Sequence, residues 1–241
     1  MELVEYQLMD ALEQEFWWYR GLHAVIAERL LQLNLPAQDK VLDAGCGTGG
    51  VLAHWQKIAS QYTYAGLECH SDAAAMAEKK TSLPIVRGSV NAMPYADGEF
   101  AAIFSQDVIC HRNVDEAAML RECHRCLQSG GHLLLNVAAY QWMTSAHDVH
   151  VHADRRYTTT RLRQLLHENG FEVVDAGYWN SLLFPLMVLH RMTVGKNKTE
   201  SDVAPIPAWQ NNLFYKILDS ERRWRLRLPF GGSAWIHGRK R

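Results

Sequence analysis

The sequence has no large excess of either charge and no long apolar run. Its 241 residues include 25 Lys and Arg against 26 Asp and Glu, which gives a formal net charge of −1. Proteins that bind nucleic acid over a broad surface usually carry a clear positive excess, so we expect no nucleic-acid partner. The longest apolar run covers residues 182–189 and is too short to span a bilayer.

Cysteine is scarce, and the first residues are acidic rather than basic. The five cysteines are an odd number spread between Cys46 and Cys126, which does not suit a disulfide framework. Glu2, Glu5 and Asp10 stand where a secretory signal would be basic. Together these features predict a cytoplasmic protein.

Charge is distributed unevenly along the chain. The first 20 residues hold five acids and one base, whereas the last 21 hold seven bases and one acid, Glu221. A solvated basic face is one explanation for the C-terminal bases. Contact with an anionic surface, including a peripheral membrane contact, is the other.

Short apolar segments and helical patterns alternate between residues 40 and 175. The composition, with 48% hydrophobic and 21% charged residues, supplies a core for one α/β domain. The alternation predicts a doubly wound, Rossmann-like sheet whose ligands bind at the carboxyl ends of its strands. The pattern also predicts one long helix over residues 5–32. The predicted strands are Lys40–Ala44, Tyr62–Leu67, Ile85–Arg87, Phe100–Ser105, Leu133–Val137, Phe171–Val174 and Ser233–His237.

A glycine-rich loop follows the first predicted strand. Gly45, Gly47 and Gly50 match the dinucleotide fingerprint, which is a weak signal alone. Asp43 stands two residues earlier, and its carboxylate would repel the pyrophosphate of a dinucleotide. An acid there suits a ligand with an amino group or a sulfonium cation. Glu68 ends the second strand, where a carboxylate can accept hydrogen bonds from both ribose hydroxyls.

These residues resemble the motifs of a known enzyme family. The segment Val41–Gly49 resembles motif I of the class I S-adenosylmethionine-dependent methyltransferases, and Glu68 matches the ribose-binding acid of that family. Residues 88–94 resemble its third-strand motif, and residues 127–133 resemble the turn before its fifth strand. The sequence is identified as a member of the bacterial small-molecule, type 11 group of this family.

The resemblance implies a seven-stranded sheet, mostly parallel with an antiparallel last strand, and S-adenosylmethionine as cofactor. Asp43 would orient the methionine amino group, and Glu68 would hold the ribose. Ser89 departs from the family, which usually has an acid there for the adenine amino group. Tyr19 and Arg20 either reach the cofactor or anchor their helix. The cofactor-binding candidates are Asp43, Gly45, Gly47, Glu68, Cys69, Ser89, Val90, Gln106, Tyr19 and Arg20.

The resemblance also implies one methyltransferase domain with four parts. These are an N-terminal helical lid (1–37), a cofactor-binding core (38–180), a helical cap inserted before the last strand (181–230), and the final strand (231–241). Three roles stay open for the cap: the roof of a hydrophobic acceptor pocket, a membrane contact, or a packed structural element.

Histidines that follow two of the strands are candidates for a general base. His111 follows the fourth strand, and His147 and His152 follow the fifth. A hydroxyl acceptor benefits from a base with a pKa near neutrality, which histidine supplies. His111 is the first candidate, although it could instead cap backbone groups of its loop. The spacing of the later histidines matches no standard zinc pattern, so we expect no metal.

The sequence therefore predicts an S-adenosylmethionine-dependent methyltransferase that acts on a small-molecule or lipid-like acceptor. Two alternatives remain: an NAD-dependent oxidoreductase, and a catalytically silent protein that binds S-adenosylmethionine. Arg155 and Arg156 either bind a carboxylate or phosphate of the acceptor, or they cap the region of the Thr159 helix or pair with Asp148 and Asp154.

Overall fold

The computed structural model describes residues 1–193 and 206–241. Seven strands form one sheet with helices on both faces. The strands are β1 (Lys40–Ala44), β2 (Thr63–Glu68), β3 (Ile85–Arg87), β4 (Phe100–Gln106), β5 (Leu127–Ala138), β6 (Phe171–Trp179) and β7 (Ser233–Lys240). The α-helices are α1 (Leu3–Leu12), α2 (Trp17–Gln32), α3 (Gly50–Ile58), α4 (Ser71–Thr81), α5 (Glu116–Cys126), α6 (Ala146–His150), α7 (Thr159–Glu168), α8 (Phe184–Thr193) and α9 (Ala208–Arg223).

The strand order is β3-β2-β1-β4-β5-β7-β6. The first five of these strands pair in parallel, and β7 runs antiparallel to both β5 and β6. This confirms the predicted Rossmann-like sheet with an antiparallel last strand. The order departs from that of dinucleotide-binding domains, because β7 is inserted between β5 and the strand that would otherwise follow it.

The core lies on both faces of the sheet because successive side chains of a strand point to opposite sides. On one face Val41 belongs to a buried cluster with Trp55 and Phe104. On the other face Leu42 belongs to a cluster with Phe100 and further apolar residues of β5 and α5. The strand order reverses between β1 and β4, so the site at the carboxyl ends of these strands lies above the centre of this packed sheet.

The single long helix predicted over residues 5–32 is wrong, because the chain turns between α1 and α2. The side chain of Glu13 points inward, where its Oε2 accepts a hydrogen bond from Thr48 Oγ1 at 3.0 Å. Phe16 is extended, and the Trp17 N–H donates to Asn211 Oδ1 at 2.8 Å instead of to a preceding helical carbonyl. Helical spacing does not reveal this break, since both partners lie far away in the sequence.

The strands at one end of the sheet are longer than predicted. β5 begins at Leu127, β6 continues to Trp179 and β7 continues to Lys240. β6 is an edge strand of mixed burial, so its second half lacks the continuous apolar run that marks the central strands.

The region predicted to form a cap contains α8 and α9, and residues 194–205 between them lie outside the described part. α9 packs against α2: the rings of Trp17 and Phe214 are 5.5 Å apart. Within the described residues, none of the helices has the length and apolar character that crossing a bilayer demands.

Candidate functional site

The glycine-rich loop connects β1 to α3 and bends sharply against the end of β2. Gly45 and Gly47 have φ angles of +86° and +55°, a region that favours glycine. A Cβ on Gly45 would overlap Val108, so no side chain fits there. The N–H groups of Gly45 and Cys46 donate to Leu67 O at 2.8 and 3.0 Å. The loop is therefore fixed where the two strands end.

Asp43 lies in β1 beneath this loop and is only 1% exposed. Burial raises the pKa of its carboxyl to about 7, and the charge of Glu68 adds to this rise. Its Oδ1 atom has no hydrogen-bond partner within the described residues. A buried carboxylate oxygen without a donor is unfavourable, so this position suits a ligand that brings a cation or an N–H group.

Glu68 ends β2 and is also buried. Its Oε2 accepts the N–H of Gly47 at 2.9 Å, and its Oε1 accepts the N–H of His70 at 2.9 Å. Cys69 is an exposed residue whose thiol lies 3.5 Å from the same Oε1. The Glu68 carboxylate is therefore held against the loop by backbone donors.

Helix α1 covers the loop, a feature that motif analysis did not find. The Tyr6 hydroxyl donates to Glu68 Oε1 at 3.3 Å, across 62 residues of sequence. A Cβ on Gly47 would lie 2.8 Å from Met9 Cε. Glu13, just beyond α1, forms an ion pair with Lys80 of α4. No local sequence signal predicts these contacts, because each partner is remote in the chain.

The end of β4 presents polar groups at the point where the strand order reverses. Both side-chain amide atoms of Gln106 are buried without a hydrogen-bond partner in the described residues. Asp107 has a φ of +54°, and its Oδ1 accepts the N–H of Ala138 at 3.0 Å. Burial raises the pKa of Asp107 to about 6. The pKa of Tyr19 is raised by burial and by the charges of Glu5 and Asp107, so this phenol lies on the same side.

Ser89 and Val90, the adenine candidates, follow β3 in a tight turn. Ser89 Oγ accepts the N–H of Asn91 at 3.1 Å, so the hydroxyl already stabilises its own turn. Val90 is buried in the same cluster as Leu67 of β2. The turn therefore lies beside the β2 end that carries Glu68.

The structure brings His111 and His152 together. Burial lowers the pKa of His111 below its ordinary value of 6.5, and its ring is hydrogen-bonded to the backbone of Val151 and His152. His152 Nδ1 lies 3.3 Å from the amino group of Met1. His147 lies in α6, but its side chain is outside what the structure describes.

The arginine candidates contact the protein itself. Arg20 lies over the ring of Tyr215, with its Cζ 3.8 Å from the ring centroid, and Arg155 donates to the carbonyls of His111 and Val114. Arg156 forms a two-bond ion pair with the buried Asp148, with N···O distances of 2.9 and 3.0 Å. In contrast to the expected pairing, Asp154 pairs with Arg112. In the described part of the chain, no three His, Cys, Asp or Glu side chains form a group suited to a metal ion.

Comparisons with known proteins agree with this geometry. A family described as a methyltransferase domain matches residues 42–135. An uncharacterised protein of Methanocaldococcus jannaschii is 33% identical over 122 residues, which cover 50% of this chain and 45% of that protein. The malonyl-(acyl-carrier protein) O-methyltransferase of Erwinia billingiae is 28% identical over 131 residues, which cover 54% of this chain and 51% of that protein. The chain thus spans about half the length of these two relatives.

The fold also matches solved methyltransferases. The geranyl diphosphate C-methyltransferase of Streptomyces coelicolor, solved with Mg²⁺, geranyl-S-thiolodiphosphate and S-adenosylhomocysteine, has a TM-score of 0.61 at 15% identity. That alignment covers 90% of this chain and 76% of the other. Residues 42–135 thus match a methyltransferase domain, and the sheet order and the glycine loop between two strand-end acids agree with the resemblance to the class I S-adenosylmethionine-dependent methyltransferases. The matched domain and the S-adenosylhomocysteine bound in the solved neighbour indicate S-adenosylmethionine, and not NAD, as the cofactor.

Proposed function

We propose that this protein transfers a methyl group from S-adenosylmethionine to a small-molecule or lipid-like acceptor. The observation that carries this proposal is the buried Asp43 carboxylate, whose Oδ1 lacks a donor while its charge faces the glycine loop. A pyrophosphate would be repelled there, whereas an ammonium group would be stabilised. The Asp43 carboxylate therefore suits the ammonium group at the amino-acid end of the cofactor.

The other cofactor candidates extend from Asp43 along the strand ends. Glu68 would accept the ribose hydroxyls, and the backbone of Gly45 and Gly47 would lie against the cofactor. Ser89 and Val90 would line the adenine, and Cys69 would lie next to the ribose. Gln106 would turn its buried amide toward the methionine arm. Bound S-adenosylmethionine supplies an activated methyl group on a sulfonium, and in-line positioning of the acceptor supplies much of the rate.

Helix α1 acts in this proposal as part of the lid, within residues 1–37. The Tyr6 hydroxyl occupies a lone pair of Glu68 that a ribose hydroxyl would use, so α1 must shift when the cofactor enters. Tyr19 lies behind α1 near Asp107, whereas Arg20 contacts α9 and anchors α2. The core would comprise residues 38–180, with the cap at 181–230 and the final strand at 231–241.

The acceptor would enter beside aromatic side chains at the carboxyl end of β5. The rings of Tyr140 and Tyr178 stack at 5.3 Å, and Phe184 of α8 lies 5.5 Å from Tyr140. This apolar wall favours an acceptor with a hydrocarbon or aromatic part. His111 is proposed as base: its lowered pKa keeps the ring neutral at pH 7, so a ring nitrogen can accept a proton. His152 and His147 are the second and third candidates.

The test combines cofactor binding with transfer of a labelled methyl group. Calorimetry is run with S-adenosylmethionine, S-adenosylhomocysteine and NAD, and labelled S-adenosylmethionine is then incubated with separate lipid and polar metabolite fractions. We expect binding of the two sulfur nucleosides and label in an organic product. Binding without transfer to either fraction would favour the catalytically silent alternative, and binding of NAD alone would overturn the proposal.

A further inference from the structure

Helix α8 exposes an apolar face to solvent. Leu182 just before it is 40% exposed, and Leu186 and Met192 are 51% and 72% exposed. At 100° per residue, these positions fall within an arc of roughly 120°. Phe184, which is buried, anchors the first turn of the helix and lines one apolar hollow with Leu189 and Met192. We call the exposed residues Leu182, Pro185, Leu186, Leu189 and Met192 the apolar stripe.

Basic residues are held beside this stripe by the end of α9. Glu221 Oε2 accepts the N–H groups of Ser181 and Leu182 at 2.7 and 3.2 Å, which fixes the last turn of α9 at the start of α8. The chain then continues through a segment that we call the basic turn, residues 223–230. Ser181 Oγ donates to Phe230 O at 2.6 Å, so the end of the basic turn also returns to α8.

The side chains of the basic turn remain available to an anionic partner. Arg223 and Arg227 pair with single carboxylates, but they are 71% and 73% exposed, and such surface pairs are weak. No acid in the described residues lies within ion-pair distance of Arg225, which is exposed. Trp224 is 74% exposed. Guanidinium groups and an indole ring are thus exposed on a segment whose two ends are hydrogen-bonded to residues 181–182, at the start of the stripe.

The stripe adjoins the end of the sheet that carries the proposed acceptor entrance. Phe184 connects the two: its ring lies 5.5 Å from Tyr140, which follows β5, and 6.0 Å from Phe230. Trp142 lies 6.1 Å from Phe184 and is 64% exposed. A partner bound to the apolar stripe would therefore lie next to the proposed acceptor entrance.

We propose that the apolar stripe and the basic turn form a docking surface for an anionic lipid bilayer. A helix that lies in the interface places aliphatic side chains at the acyl boundary, with basic and tryptophan residues at the headgroups. The stripe provides the aliphatic side chains, Trp142 lies beside Phe184, and the basic turn provides the exposed Trp224 and Arg225. This docking is independent of methyl transfer and holds whether or not the proposed acceptor is correct.

The test measures co-sedimentation of the full chain with vesicles, without cofactor or acceptor. Vesicles of phosphatidylcholine alone are compared with vesicles of equal parts phosphatidylcholine and phosphatidylglycerol. We expect binding to the anionic vesicles and much weaker binding to the neutral ones. Leu186→Glu and Met192→Glu should each abolish vesicle binding. The new carboxylate would be repelled by the anionic headgroups and would be unfavourable at the acyl boundary. Ile58→Glu on α3, at a site that is 40% exposed, is the matched control and should bind like the wild type.

A second arm tests the charge contribution. Arg225→Asn keeps a residue that tolerates the φ of +50° at this position. It should weaken partition into anionic vesicles about fivefold, the ratio that corresponds to about 1 kcal/mol per basic residue near such a surface. High salt should weaken binding of the wild type in the same direction. Equal binding to both vesicle types, no binding to either, or dimers in vesicle-free protein that Leu186→Glu dissociates would each overturn the proposal.

Discussion

The buried Asp43 carboxyl beside the glycine loop destabilises the ligand-free protein in a pH-dependent way. Burial raises the pKa of Asp43 from an ordinary 3.8 to about 7 in the folded state. Between these values the folded chain binds a proton that the unfolded chain has released. The free energy of unfolding therefore falls as pH rises through this window, and stays lowered above it. A cationic ligand group would remove the penalty, which couples cofactor binding to stability.

Replacing the Asp43 carboxyl should have opposite effects on the stability of the protein and on its affinity for the cofactor. Asp43→Asn keeps the shape of the side chain without its charge, so we expect a higher free energy of unfolding above pH 7 and a flatter decline below it. Affinity for S-adenosylhomocysteine should fall about tenfold or more, since a hydrogen bond to a charged group contributes about 1.5–3 kcal/mol. Urea unfolding at several pH values and calorimetry measure the two effects. Asp39→Asn, just before β1, is the control. Unchanged affinity in Asp43→Asn would refute the proposal that this carboxylate binds the amino group of the cofactor.

His111 is expected to act on turnover and not on cofactor affinity. Because burial lowers its pKa below 6.5, the wild-type rate should rise with pH, and the midpoint of that rise should lie below 6.5. His111→Gln should lower turnover by about 10²-fold and remove this pH dependence, with affinity for S-adenosylhomocysteine retained. His167→Gln at the exposed end of α7 is the comparison. Normal turnover in His111→Gln would exclude it as the base and leave it as a loop-capping histidine.

At the level of helices and strands, the sequence predicted the features that have local signals and missed the contacts that depend on distant residues. Asp43 and Glu68 lie at the ends of β1 and β2 as expected, because short buried strands and glycine turns have strong local signals. The break after α1 depends on the reach of Glu13 to Thr48, across 35 residues. The contact of Tyr6 with Glu68 likewise appears only after the sheet has formed.

The position of α1 predicts a competition between Tyr6 and the cofactor. Tyr6→Phe removes the hydroxyl that donates to Glu68 Oε1 but keeps the buried ring. Affinity for S-adenosylhomocysteine should rise about two- to tenfold. The wild-type protein must break the Tyr6–Glu68 hydrogen bond when α1 is displaced, and such a bond contributes a net free energy of about 0.5–1.5 kcal/mol. Calorimetry and stopped-flow fluorescence measure this change. Tyr64→Phe, which loses a hydrogen bond to Ala59 O remote from the loop, serves as control. Weaker binding in Tyr6→Phe would show that the hydroxyl contacts the cofactor instead.

At the scale of the whole molecule, the two ends of the chain are joined through β7. This strand lies between β5 and β6, and Trp235 within it packs under the guanidinium of Arg29 from α2, 3.3 Å from the ring centroid. Trp18 of α2 stacks on Trp179 of β6 at 5.0 Å. Helix α2, the sheet core and the last strand therefore share packing contacts, and we expect them to unfold together.

Gly238 in β7 provides the test of this cooperativity. A Cβ there would lie 2.5 Å from Leu166 Cδ2 and 3.4 Å from Phe171 Cβ, so Gly238→Val should overpack the face under α7 at a cost of about 1–3 kcal/mol. For a chain of this size that cost lowers Tm by roughly 2–12 °C. If the molecule is one cooperative unit, circular dichroism and tryptophan fluorescence should follow one transition at the lowered temperature. Glu172→Val on the exposed edge strand should shift Tm little, since surface substitutions usually change stability by less than about 0.5 kcal/mol. Separate transitions for the two probes in Gly238→Val would mean that the molecule is not one cooperative unit.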